Sequence, residues 1–180
     1  MILMIWRLCG FLVLLCYIAH QLSYAAIDEE TEKTLAIIKP DGVLGNYTEH
    51  IKEVIRESGF EVISEVATVL DRDRASIFYG EHSSKHFFRN LISYMTSGPV
   101  LLMVLGKENA VTEWRSLIGP TDPRIAKLTH PQSIRAFCGL DLQRNCVHGS
   151  DSLESAKREI SFFFDDISQA GGTVTMHDEL

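Results

Sequence analysis

The chain has 180 residues, of which 46% are hydrophobic and 23% charged, and it carries a formal net charge of −7. This length predicts one globular domain. The acidic balance excludes a broad electrostatic footprint for nucleic acid, so no nucleic-acid partner is expected, but it leaves room for a small basic pocket that takes an anion.

Residues 1–25 are expected to lie outside that domain. Met1 and the single charge of Arg7 lead into an apolar run from Phe11 to Ala19, then to His20, Gln21 and the small-residue site Ser23-Tyr24-Ala25. A charged start, an apolar middle and a small-residue exit read as a secretory signal peptide cleaved after Ala25, with no stable membrane span afterwards. The competing reading is an uncleaved anchor, because the stretch approaches the ~20 residues a span needs. Arg7 and Gly10 interrupt it. Residues 26–166 are the expected domain. Residues 167–180 read as a flexible tether ending in His177-Asp178-Glu179-Leu180, an address for retention in the endoplasmic reticulum lumen. Cys9 and Cys16 leave with the signal, whereas Cys138 and Cys146 stay in an oxidising compartment where they can pair. The sequence leaves that pairing open, because it does not give their geometry. Asn46-Tyr47-Thr48 is an N-glycosylation acceptor pattern; the other reading is a cap on the first helix.

In chain order, Thr34 to Ile38 is a short apolar run of the kind buried in a sheet. It ends at Lys39-Pro40-Asp41-Gly42, read as a turn. Ile51, Val54 and Ile55 recur at helical spacing, and Gly59 marks the stop. Phe60 to Leu70 alternates as a strand. Asp71 to Tyr94 reads as two short helices broken near Ser83-Ser84. Pro99 opens a second buried strand over Val100–Leu105, and a helix follows with Val111, Trp114, Leu117 and Ile118 on one face. Gly119 to Pro131 holds three prolines and is expected to be a long loop. A brief helix or turn at Ser133–Phe137 precedes a last strand over Asn145–His148. The final helix starts near Ser150-Asp151, with Asp151 and Glu154 spaced as a capping box and Leu153, Ala156, Ile160 and Phe163 or Phe164 as its buried stripe. The order predicts an α+β sandwich, an antiparallel sheet with helices packed on it.

Two residues stand out chemically. Lys39 closes a buried strand at the rim of the sheet. His148 lies at a strand end beside a helix N-terminus, where backbone N–H groups favour an anion, and imidazole is a nucleophile near neutral pH because its ordinary pKa is about 6.5. Arg115, Arg124, Arg135 and Arg144 would clamp phosphate if they converged; spacing does not decide whether they do.

Lys39-Pro40-Asp41-Gly42, Ser97-Gly98-Pro99, Leu117 through Pro123, Ile134-Arg135 and Asn145 through Ser152 occur together in this order. Over roughly residues 33–164 this resembles the nucleoside diphosphate kinase family, and the His-Gly-Ser-Asp-Ser element after Asn145 is its most specific mark. The resemblance implies a ferredoxin-like βαββαβ sandwich with a four-stranded antiparallel sheet. It implies ping-pong transfer of a terminal phosphate between nucleoside tri- and diphosphates through a phosphohistidine at His148. It also implies roles by position. Arg115, Thr121 and Arg135 would hold phosphates, and Lys39 and Asn145 would meet sugar hydroxyls. Phe87 would stack on the base beside Leu91 and Leu142. Tyr79 would lie near the transferred group, and Glu159 would orient His148 with Ser150 alongside. Mg²⁺ would arrive on the nucleotide rather than in a protein cage.

Four features depart from the usual pattern: a longer loop ending at Thr129-His130-Pro131, Ala136-Phe137-Cys138-Gly139 after Arg135, the Gly45-Asn46-Tyr47-Thr48 turn in place of a more basic one, and the tether in place of the usual C-terminal segment. The implied homo-oligomer rests partly on that loop and that segment. The same departures motivate a second reading, a nucleotide-binding or interaction module of this fold with little turnover. Hydrolysis at the His148 site is a third.

Overall fold

The computed structural model describes residues 31–169. The expected signal peptide, the retention address and residues 170–180 lie outside the described residues. Four strands form one sheet: β1 (Lys33–Ile38), β2 (Glu61–Val69), β3 (Pro99–Gly106) and β4 (Val147–Gly149). The spatial order is β2-β3-β1-β4, and every neighbouring pair is antiparallel. With the helices between them this is the ferredoxin-like α+β sandwich expected from the sequence.

The helices are α1 (Pro40–Leu44), α2 (Thr48–Glu57), α3 (Arg72–Phe78), α4 (Phe88–Met95), α5 (Ala110–Ile118), α6 (Pro123–Thr129), α7 (Ile134–Cys138) and α8 (Leu153–Gln169), with a 3₁₀ turn at Gly80–His82. They cover both faces of the sheet. One core joins Ala36, Ile38, Leu101 and Met103 to Ile51 and Ile55 of α2 and Trp114 of α5. The other joins Leu35, Ile37, Val100 and Leu102 to α3, α4 and Phe163 of α8. The central strands β1 and β3 therefore bury both faces and read as unbroken apolar runs. At the edge, β2 has no buried residue, which is why its sequence alternates. A bulge between Val62 and Ser64 leaves Ile63 unpaired against β3.

Several expectations about the elements are corrected. Lys39-Pro40-Asp41-Gly42 is not a plain turn. Pro40 is the first residue of α1, a place where its missing N–H costs nothing. The long loop after Gly119 contains α6, which starts at Pro123 and is capped by the Asp122 side chain on the Arg124 N–H at 2.9 Å. The cap of α8 is made by Ser152 and Ser155, not by Asp151 and Glu154. Ser152 Oγ accepts the Ser155 N–H at 3.1 Å, and Ser155 Oγ accepts the Ser152 N–H at 2.9 Å. That pair is a capping box with serine in the glutamate position. Leu153 is 54% exposed and lies outside the buried stripe. Gly59 does end α2: its φ is +78°, and Gly59 and Phe60 donate back to Arg56 and Ile55, a Schellman arrangement.

Candidate active site

The site is assembled where β1 ends beside β4. His148 lies opposite Ile37 in the β1–β4 register, so its side chain takes the sheet face covered by α3 and α8. Its Nε2 is 2.9 Å from Glu159 Oε2, and Ser150 donates its hydroxyl to the same oxygen at 2.8 Å. Ser150 Oγ in turn accepts the Leu35 N–H at 3.2 Å. The chain of contacts thus runs from the β1 backbone through Ser150 and Glu159 to the imidazole. With Nε2–H donated to a carboxylate, the neutral ring carries its lone pair on Nδ1. Among the described residues, Nδ1 has no hydrogen-bond partner. Phe78 and Tyr79 stand edge-on to the ring, with centroids 5.4 Å and 6.4 Å away, and the His148 side chain remains 20% exposed.

From the other side, Trp114 Nε1 donates to the His148 carbonyl at 3.1 Å, and Gly149 lies against the Trp114 ring. The sequence places Trp114 on the apolar face of a helix but does not show this contact. A glycine directly after the histidine was the available signal, since it marks a close approach.

Lys39 follows β1 and is buried. Its backbone N–H donates to the Cys146 carbonyl at 2.7 Å, and its ammonium donates to Asn145 Oδ1 at 2.7 Å. The Asn145 amide donates to the carbonyls of Thr121 and Leu142 at 3.0 and 3.1 Å. One asparagine thereby ties the end of β1 to the loop before α6 and the loop before β4. Burial, and then the neighbouring Arg135 guanidinium, pull the Lys39 pKa down to about 7. Arg135 donates to the Gly119 carbonyl at 2.7 Å and the Val147 carbonyl at 3.1 Å. Its buried Nε has no partner among the described residues. Burial, and then Arg115, lower its pKa to about 10. Arg115 itself is exposed on α5. Arg135 thus presses on Lys39 and Arg115 on Arg135, a run of cations that an anion with several oxygens relieves.

The other two arginines do not join them. Arg124 pairs with Asp122 and Arg144 with Asp141, each at 2.7 Å on the surface. Tyr79 is buried with its hydroxyl unpartnered among the described residues. Burial, and then the Glu159 charge, raise its pKa, so the phenol stays a donor. Phe87 is 39% and Leu142 60% exposed, whereas Leu91 is buried. Gln143 Nε2 donates to the Asn90 carbonyl at 3.2 Å and brings the Leu142 loop against α4. Thr121 contributes its carbonyl to Asn145 and exposes its side chain. Ser150 is fully buried and reaches His148 only through Glu159. Cys138 and Cys146 form a disulfide, with their Cα atoms 6.1 Å apart. A separate cavity of about 360 Å³ lined by Phe60, Lys107, Leu117 and His130 includes none of these groups.

The family model for nucleoside diphosphate kinase matches residues 32–168. The chain belongs to the nucleoside diphosphate kinase family. It is 60% identical to a probable nucleoside diphosphate kinase 5 of Arabidopsis thaliana over 144 residues, which is 80% of this chain and all of that protein. It is 46% identical to the nucleoside diphosphate kinase of Ehrlichia chaffeensis, over 75% of this chain and 93% of the other. Among solved structures, the Aquifex aeolicus nucleoside diphosphate kinase superposes with a TM-score of 0.70 at 40% identity, covering 74% of this chain and 95% of that one. The family is one of nucleotide-binding kinases, and the basic seam beside His148 lies within the matched span.

Proposed function

We propose that this chain transfers the terminal phosphate of a nucleoside triphosphate to a nucleoside diphosphate through His148. The observation that carries the reading is the hold on Nε2 by Glu159, which makes Nδ1 the nucleophilic atom. Its lone pair attacks the terminal phosphorus, a P–N bond forms, and the bond to the bridging oxygen breaks, with the electron pair leaving on the diphosphate. The Glu159 carboxylate stabilises the positive charge gained by the ring. A second diphosphate reverses the step.

Arg135, Arg115 and Thr121 bind phosphate oxygens, and Lys39 and Asn145 meet the sugar hydroxyls. Tyr79 donates toward the transferred group. Phe87 stacks on the base between Leu91 and Leu142, a contact that accepts any base. Lys39, Arg115 and Arg135 on this seam are donors suited to phosphate oxygens, so Mg²⁺ would come with the nucleotide and would supply charge neutralisation at its phosphates. Incubation with γ-labelled ATP should give an acid-labile, alkali-stable phosphoprotein that discharges onto added diphosphate. His148→Asn should lower transfer by at least about 10³-fold. Turnover retained in that variant would overturn the mechanism.

The competing reading is a nucleotide-binding module with little turnover. It is motivated by the departures from the family pattern in the loop after Gly119, where α6 lies, and in the C-terminal segment. Tight nucleotide binding without label would support it.

We also propose that the chain works in the lumen of the endoplasmic reticulum, after loss of residues 1–25. The Cys138–Cys146 disulfide supports an oxidising compartment, and Asn46, exposed two residues before Thr48, is open to a glycosyltransferase. Protein recovered from cells with thiols blocked should carry the disulfide and an endoglycosidase-sensitive mass on Asn46. Free thiols with an unmodified Asn46 would count against the lumen.

A further inference from the structure

Asp41 lies in α1, two residues after Lys39, and its carboxylate is shared between two distant segments. Oδ2 accepts the Cys146 N–H at 3.0 Å, in the turn between Asn145 and Val147 where Cys146 takes a φ of +67°. Oδ1 accepts the phenolic O–H of Tyr94 in a short, partly buried contact. Tyr94 sits on α4, three residues after Leu91 and so on the same helical face. One carboxylate therefore joins the helix that carries the apolar base platform to the turn that presents Asn145. The exposed bond from Gln143 to the Asn90 carbonyl joins the same two parts on the outside.

We propose that Asp41 and Tyr94 are positioning residues that fix the separation between α4 and the Leu142–Asn145 loop, and so set the width of the slot into which the nucleotide base and sugar enter. The proposal rests on the nucleotide-binding reading above. A phenol donating to a carboxylate is a charge-assisted bond. Burial, the bond itself and the Asp41 charge raise the Tyr94 pKa, which keeps the donor protonated throughout the working pH range. The clamp makes no hydrogen bond to His148, Arg115 or Arg135, although the Asp41 charge also acts on Lys39, so Tyr94 is the cleaner position to test.

Tyr94→Phe keeps the ring and removes only the O–H. Calorimetry with Mg-ADP should show affinity weakened by about tenfold, with KM raised by a similar factor and kcat changed by less than about twofold. Labelling of His148 by phosphoramidate, a phosphoryl donor with neither base nor sugar, should run at the wild-type rate. Asp41→Asn can still accept from Cys146 and donate to the Tyr94 oxygen, so it should keep more affinity than Asp41→Ala.

Unchanged Mg-ADP affinity in a folded Tyr94→Phe variant would overturn the proposal. So would an equal loss of labelling from ATP and from phosphoramidate, because that would put the effect at His148. If the wild type takes label from neither donor, phosphoryl transfer fails as a reading while the Mg-ADP titration still decides the clamp. A wild type that binds no Mg-ADP overturns both.

Discussion

Lys39 is 8% exposed and lies beside a second buried cation, so its own proton is held weakly. Its folded pKa is about 7, against about 10.4 in an unfolded chain. Between these values the unfolded chain binds a proton that the folded chain has released, so stability from this residue rises with pH across that window. Below pH 7 both states hold the proton, and the folded state bears the full cost of burying the charge. Urea denaturation of the nucleotide-free protein at steps from pH 7 to pH 10 should show this rising contribution, and Lys39→Met should flatten it. Parallel profiles for the two proteins would mean that Lys39 is hydrated in solution. The same residue shows what sequence reading reaches at this scale. Lys39 and His148 were marked by their motifs, and Glu159 by family resemblance. Asp41 was quoted as part of a turn although both its oxygens bridge remote segments. Its partners, Tyr94 and the Cys146 N–H, are 53 and 105 residues away, and nothing local in the sequence marks them.

The elements follow local chemistry closely. β1 and β3 were legible as unbroken apolar runs because a strand covered on both faces needs apolar residues at every position, and α2 by its spacing and its terminal glycine. Proline misled the reading twice for one reason. A residue that breaks a helix interior is favoured at its first turn, and both Pro40 and Pro123 begin helices. The β4–α5 junction yields a test at this scale. A Cβ on Gly149 would lie 2.5 Å from Trp114 Cδ1 and 3.2 Å from Ile118 Cδ1. Trp114 is fully buried and cannot step aside without displacing its neighbours. Gly149→Ala should therefore cost about 1–3 kcal/mol, read as a lower denaturation midpoint, and it should slow transfer as well, since the Trp114 indole also holds the His148 carbonyl. An unchanged midpoint would mean that the indole has room to move.

Across the whole molecule, the site lies on a seam rather than in one element. β1 supplies the backbone that holds Ser150 and, at its end, Lys39. α8 supplies Glu159, α5 supplies Arg115, α7 supplies Arg135, and α4 faces the loop before β4. The disulfide closes the segment from Cys138 to Cys146, so Leu142, Gln143 and Asn145 all lie inside one covalent ring. By itself the sequence determined the fold class, the central strands and the family resemblance, and it marked His148 as the candidate nucleophile. Each of these is written in neighbouring residues or in a motif a few residues long. Only the tertiary structure decided which two of four arginines stand together, that Cys138 reaches Cys146, that the proline-rich loop folds as a helix, and that Tyr94 clamps Asp41. These are distances between residues far apart in the chain, and such distances are set by how the helices pack on the two faces of the sheet, which local sequence does not encode.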